Sequence, residues 1–289
     1  MISQYGWRVA YGIMAGAGLV LGVGTMGLIK EPERGRFLSA AEKASEEEKK
    51  RKKEEEAAKK SGNPVKNFFD SLGVVLALPC ARNILIASSL RNFGGIIVSS
   101  FLPVFFGKNF PGYKAQYALL NAAAQMVCGM TSSLAGGIMA DKFEKKSYWA
   151  KALICMSGCA LSLPLMALGT LQTSSFYLCV ACYALKLLVA GTYSGPAITM
   201  IQNTAPLDQQ ANVISLYFCS ISLTQCFAPP LFSYLAKTMG CFANPALYGP
   251  LLTGFVAFGY IGSLPFWYKG GKAYKEFMEK KDAECLVPA

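Results

Sequence analysis

Three stretches of this sequence, residues 84–106, 117–140 and 176–201, contain no acidic side chain at all and are built mainly of apolar residues. About 20 such residues are what an α-helix needs to cross a hydrocarbon layer about 30 Å thick. In water, several runs of this length would need a core larger than 289 residues can build. The acids are concentrated elsewhere: residues 31–60 hold nine of the 17. Only 16% of residues are charged, against about a quarter in ordinary soluble domains. A soluble globular protein is excluded. The expected fold class is all-α, a polytopic membrane protein.

Reading apolar runs along the chain gives seven transmembrane helices, at 9–29, 84–106, 117–140, 148–171, 176–201, 211–236 and 248–267. Lys and Arg flanking these spans number 22 on one side and four on the other, the four being Arg8, Lys108, Lys114 and Lys237. The basic side is expected to be cytoplasmic, which places Met1 outside and Ala289 inside; the particular membrane is not specified. The net charge of +11 is therefore a topology signal, and the lipid bilayer is the expected partner, with no nucleic acid. The first span is too long for a cleavable signal peptide, and Lys30, Glu31 and Pro32 follow it in place of a small-residue cleavage site.

Histidine is absent, which removes imidazole metal sites, Ser-His-Asp triads and histidine proton relays. The 10 cysteines lie mostly within apolar runs, as small hydrophobes do. No metal, cofactor or catalytic residue is expected, and the chain does not read as an enzyme.

The long connection, 37–82, is of a different character. Residues 40–60 carry eight basic and seven acidic side chains, and Glu46, Glu47, Glu48, Glu55 and Glu56 each precede a Lys or Arg by four residues. That order supports a solvated helix, either a spacer or an arm for anionic lipid. Asn63-Pro64 then reads as a helix start, and Phe68, Phe69, Leu72, Val75 and Leu76 fall on one face of a helix lying along the membrane. The expected organisation is a helix at 1–36, a cytoplasmic linker at 37–82, a six-helix bundle at 83–268 and a cytoplasmic tail at 269–289.

The sharpest local pattern is Gly137-Ile-Met-Ala-Asp141-Lys142-Phe-Glu144-Lys145-Lys146 at the cytoplasmic end of the third span. Its spacing resembles the G-x-x-x-D-[RK]-x-G-[RK]-[RK] loop of the major facilitator superfamily, with Glu144 in place of the second glycine. Gly6-Trp7-Arg8 and Lys30-Glu31-Pro32-Glu33-Arg34-Gly35 look like the borders of that family's sixth helix, and Gly195-Pro196 with Gln202-Asn203 and Pro206 like the end of its tenth. The resemblance implies half of a facilitator fold, helices six to twelve, with Gly137, Asp141, Lys142, Lys145 and Lys146 as a gating motif. Within the superfamily the borders of the first span look most like Spinster-type lipid transporters, and organic-anion permeases share part of the pattern.

Two cations, Arg91 and Lys186, fall deep in the second and fifth spans, and no span contains an acid. A cation at mid-membrane costs about 2.5–3.5 kcal/mol on insertion scales, so it normally faces a cavity or a partner. The resemblance places both on helices that line the central cavity, which implies an anionic substrate held by Arg91, Lys186 and Ser88. A carboxylate supplied by another bundle and snorkelling to the headgroups are the competing readings. Asn121 and Gln125 begin a polar stripe with Cys128 and Ser132, for substrate contact or for hydrogen bonds between helices. Gly94 and Gly95 would let the second span bend or let a solute approach.

The expected function is transport of a small organic solute, anionic or lipid-like, by alternating access. A missing N-terminal half, or a second chain, is expected to complete the cavity, because its polar wall would otherwise face lipid. The alternatives are a non-transporting assembly subunit and a seven-helix receptor. For the receptor, Asn244-Pro245-Ala-Leu-Tyr248 supplies an N-P-x-x-Y string, though ahead of the last span.

Overall fold

The computed structural model describes residues 2–28, 73, 78–205, 210–241 and 244–286. The borders Lys30–Gly35, the charged connection with its Glu–Lys pairs, Asn63-Pro64, the face from Phe68 to Leu76 and Pro206 lie outside the described residues, Gly73 excepted. The chain divides into two units, Met1–Asn63 and Pro64–Ala289.

In the first unit, α1 covers Ile2–Leu28 and bends at Gly6, whose φ of 77° only glycine adopts without strain. Its apolar residues face outward on every side, from Val9 to Met26. A helix that is hydrophobic all round belongs in lipid or deep inside a larger body.

The second unit is entirely helical among its described residues: α2 (Pro79–Asn109), α3 (Lys114–Ala124), α4 (Met130–Glu144), α5 (Ala150–Leu171), α6 (Phe176–Ala190), α7 (Ser194–Thr204), α8 (Gln210–Thr238) and α9 (Tyr248–Leu286). A π turn at Gln125–Gly129 joins α3 and α4 into one rod, 114–144, and a 3-10 turn at Gly191–Tyr193 joins α6 and α7 into another. With α1 this makes seven rods among the described residues, in the order the apolar runs indicate.

Among the described residues, five segments are long and apolar enough to cross a membrane: Pro79–Asn109, Ala150–Leu171, Phe176–Thr204, Gln210–Thr238 and Pro245–Ala283. The rod 114–144 falls short in apolarity because Asn121, Gln125, Thr131, Ser132 and Ser133 interrupt it. In α1 the apolar part is the shorter Tyr11–Gly27.

α2 is the spine of the bundle, with α9 and α8 packed along it and α5 bridging α9 to α6. Gly94 of α2 meets Gly259 of α9 so closely that a Cβ at Gly259 would lie 2.5 Å from the Leu90 carbonyl oxygen. The glycine expected to admit a bend or a solute serves instead to bring two backbones together.

Helix α9 does not stop at Trp267. It runs on as one helix through the lysine-bearing end, because its inner face remains apolar or small: Gly270 and Gly271 are buried against Ile84, Trp149 and Ala152, and Tyr274 is buried one turn on. Lys275 and Glu279 form an i,i+4 pair at 3.6 Å on the outer face. Among the described residues Cys80, Cys155, Cys159, Cys179, Cys182 and Cys241 are buried and free.

Candidate functional site

The α6–α7 rod breaks where the α4 surface is smallest. A Cβ at Gly136 would lie 2.2 Å from the Thr192 carbonyl oxygen, and one at Gly191 would lie 2.5 Å from Ser132 Oγ. Ser133 and Ser194 hydroxyls meet at 3.2 Å, and Gly195 faces the Gly137 backbone. Gly136 and Gly195 make the close crossing, whereas a Cβ at Gly137 itself would meet nothing within 4 Å. The turn Gly191–Tyr193 winds as a 3-10 helix, and the Ser194 amide donates to the Gly191 carbonyl. In a continuous α-helix that amide would serve Ala190.

Arg91 supplies a donor to Ala190. From α2 its Nη2 donates to the Ala190 carbonyl, its guanidinium lies 3.5 Å from the centroid of the Tyr193 ring, and the Tyr260 ring from α9 stands at 5.0 Å. Lys186, one turn before the break, places Nζ 5.9 Å from the centroid of that same Tyr260 ring. Both cations are deeply buried, Arg91 at 5% exposure and Lys186 at 4%. Cation–π contacts strengthen where water is excluded. Among the described residues no carboxylate pairs with either.

The structure therefore gathers Arg91, Lys186 and Ser88 into one neighbourhood inside the bundle. Ser88 is fully buried one turn before Arg91. Asn121 and Gln125 stand apart on the rod 114–144, Asn121 half-buried and Gln125 exposed at the π turn. No described hydrogen bond or ring contact joins them to the cations.

A second polar cluster closes the end of the bundle where α4 finishes. Glu144, at the position of the motif's second glycine, accepts from Tyr274 Oη at 2.9 Å and pairs with Lys151 Nζ at 2.7 Å. Asn203, at the end of α7, donates to Tyr274 Oη at 3.0 Å. The turn forms without glycine: the amides of Lys146 and Ser147 both donate to the Phe143 carbonyl. Asp141, Lys142, Lys145 and Lys146 are exposed. All but Lys142 of these border a cavity of about 690 Å³ shared with Asn203, Lys275 and Glu279. Beside it Tyr148 Oη donates to Asp282 Oδ2 at 2.5 Å, and that bond to a carboxylate holds the phenol above its usual range.

Sequence reasoning found the cations but missed their aromatic holders, Tyr193 and Tyr260, and the Glu144–Lys151–Tyr274–Asn203 cluster. The available signals were Tyr260 lying between Gly259 and Gly262 in an apolar span, and an acid and a base seven residues apart across a turn.

Residues 1–229 match the family model described as Major Facilitator Superfamily, most of the chain. The chain belongs to the major facilitator superfamily. As a facilitator it is a multi-pass integral membrane protein whose apolar helices contact the bilayer. A crystal structure of a bacterial homolog to the human lysosomal transporter Spinster, inward-facing and unoccupied, is similar in fold, with a TM-score of 0.54 at 16% identity over 98% of this chain and 61% of that one. The inward-facing, occupied form of such a homolog gives a TM-score of 0.45 at 16% identity, over 74% of this chain and 52% of that one. This facilitator chain thus spans less than two thirds of the length of those solved chains. No curated protein matches its sequence.

Proposed function

We propose that this chain forms part of a transporter that moves a small organic solute, anionic or lipid-like, across a membrane by alternating access. It corresponds in this reading to helices six to twelve of a twelve-helix fold: 1–36 ends the first bundle, 37–82 is the linker and 83–268 the second bundle. Another bundle, upstream or on a second chain, completes the cavity. The heavily basic side is cytoplasmic, with Met1 outside.

The observation that carries the substrate class is the pair of buried cations around Tyr260, with no carboxylate beside them among the described residues. A buried charge is costly unless something satisfies it, and a ligand phosphate or carboxylate can do so. Lys186 and Arg91 attract the anionic part, Ser88 adds a hydroxyl, and Asn121 and Gln125 offer polar contacts from the neighbouring rod. The motif of Gly137, Asp141, Lys142, Lys145 and Lys146 controls opening at the cytoplasmic end. Family membership supports transport.

The test is uptake of labelled organic carboxylates, phosphates and lysophospholipids into liposomes holding the whole gene product. At least one anion should accumulate above empty liposomes. Lys186→Ala should then lower uptake at low solute about 10- to 100-fold, as expected for losing a charge-assisted hydrogen bond. Equal uptake by the variant overturns the role of the cation, and no anion uptake at all overturns the substrate class.

A further inference from the structure

Helices α8 and α9 both pack along α2 but barely touch each other, which leaves a slot between them. Phe93 of α2 forms its floor, stacked on Phe255 at 5.8 Å and edge-on to Phe258 at 6.0 Å. Leu231 of α8 and Met239 just beyond its end make one wall, and Leu247 and Leu251 the other. The cavity is about 520 Å³, and every residue lining it is apolar.

Two features make this slot more than a rough patch of helix surface. Gly254 lies in the α9 wall, and a Cβ there would have no neighbour within 4 Å; the space is open, and no described side chain fills it. An apolar cavity gives water none of the two to four polar partners it needs. In addition, one end is basic. Lys108, in the last turn of α2, holds Nζ 5.8 Å from the centroid of the ring of Tyr248, the residue after Leu247. Lys237 stands in the last turn of α8, two residues before Met239. Long lysine side chains at helix ends reach the headgroup plane while their stems lie on apolar surface.

An apolar channel that ends in two cations complements a hydrocarbon chain carrying an anionic head. We propose that this slot is a binding site for one acyl chain of an anionic phospholipid, with the headgroup at Lys108 and Lys237. The occupant comes from the bilayer itself, and the site is separate from the Arg91–Lys186 neighbourhood, so it stands whatever solute the protein carries.

The experiment uses the full chain in vesicles that mix brominated phosphatidylglycerol or brominated phosphatidylcholine with unbrominated lipid, and reads quenching of an introduced tryptophan against the parent protein. Phe258→Trp reports on the slot, Leu247→Trp is a second reporter should the first misfold, and Leu119→Trp on the rod 114–144 is the control. The slot reporter should favour phosphatidylglycerol about fivefold, the contribution of one lysine near the headgroup plane, and the control should show no preference. Gly254→Leu, which fills the slot, should abolish the preference, and Lys108→Gln with Lys237→Gln should bring it close to one. Equal quenching by both lipids at the slot, a preference untouched by Gly254→Leu, or no quenching by either lipid because protein covers the slot, each overturns the proposal.

Discussion

Two buried cations in this facilitator chain are held in opposite ways. Lys151, at the end of the bundle, has a carboxylate 2.7 Å away in Glu144, and Glu144 is in turn bonded by Tyr274. Arg91, deep in the bundle, has a backbone carbonyl and two aromatic faces, and among the described residues no carboxylate. The first arrangement is complete: charge meets charge and the neighbours are spoken for. The second gives Nη2 one acceptor and leaves Nε without a partner among the described residues; no charge is cancelled, so a positive field persists in the interior, and Lys186 adds to it. Neutralised charge fastens helices together, whereas charge left positive is available to an anion.

Breaking the closed cluster should produce the largest loss of stability. Glu144→Gln leaves Lys151 buried without its partner and is expected to cost about 3–5 kcal/mol, read as a lower melting temperature in detergent. The paired change of Glu144→Leu with Lys151→Met should recover most of that loss, and a double variant as unstable as the single one would show that the pair is not the source. Next comes the helix crossing. Gly136→Ala forces a methyl against the Thr192 backbone and should cost about 1–3 kcal/mol. Gly137→Ala, whose Cβ meets nothing within 4 Å, should stay within about 0.5 kcal/mol.

The interior cations sharpen the comparison further. Arg91→Ala strips a donor from the Ala190 carbonyl and should lower stability by about 1–3 kcal/mol, with Arg91→Lys in between. Lys186→Met removes a charge with no carboxylate beside it, so the melting temperature should hold or rise even as anion uptake falls. If Lys186→Met destabilised the protein as much as Arg91→Ala, the two cations would share one structural role. The smallest effect belongs to Tyr148. Its phenol is held protonated by Asp282, so this contribution is complete below the ordinary phenol range near 10 and fades as pH rises through the higher folded value. A difference ultraviolet titration of the parent against Asp282→Asn should show a single phenol moving back toward 10.

Much of this architecture was legible from residue patterns. Apolar runs free of acids placed the rods, since length and hydrophobicity alone decide which segments cross lipid. The close crossing falls on Gly136, beside the motif, and the residue pattern did not tell it apart from Gly137. Arg91 and Lys186 stood out as charges in apolar surroundings. The pattern could not show that both would meet at Tyr260, because that depends on the angle at which α9 crosses α2, set by the contact between Gly94 and Gly259. Glu144 read as a defect in a loop motif, whereas its partners come from α5 and from Tyr274, 130 residues away. The end of α9 read as tail because its lysines hide the spacing of Gly270, Gly271 and Tyr274 on the inner face.

The length of α9 has a mechanical consequence. Thirty-nine residues at 1.5 Å each make a rod about 58 Å long, nearly twice the thickness of the hydrocarbon layer. A lever of that reach magnifies small rotations: a tilt of about 10° around the Tyr248 end would sweep Leu286 sideways by about 10 Å.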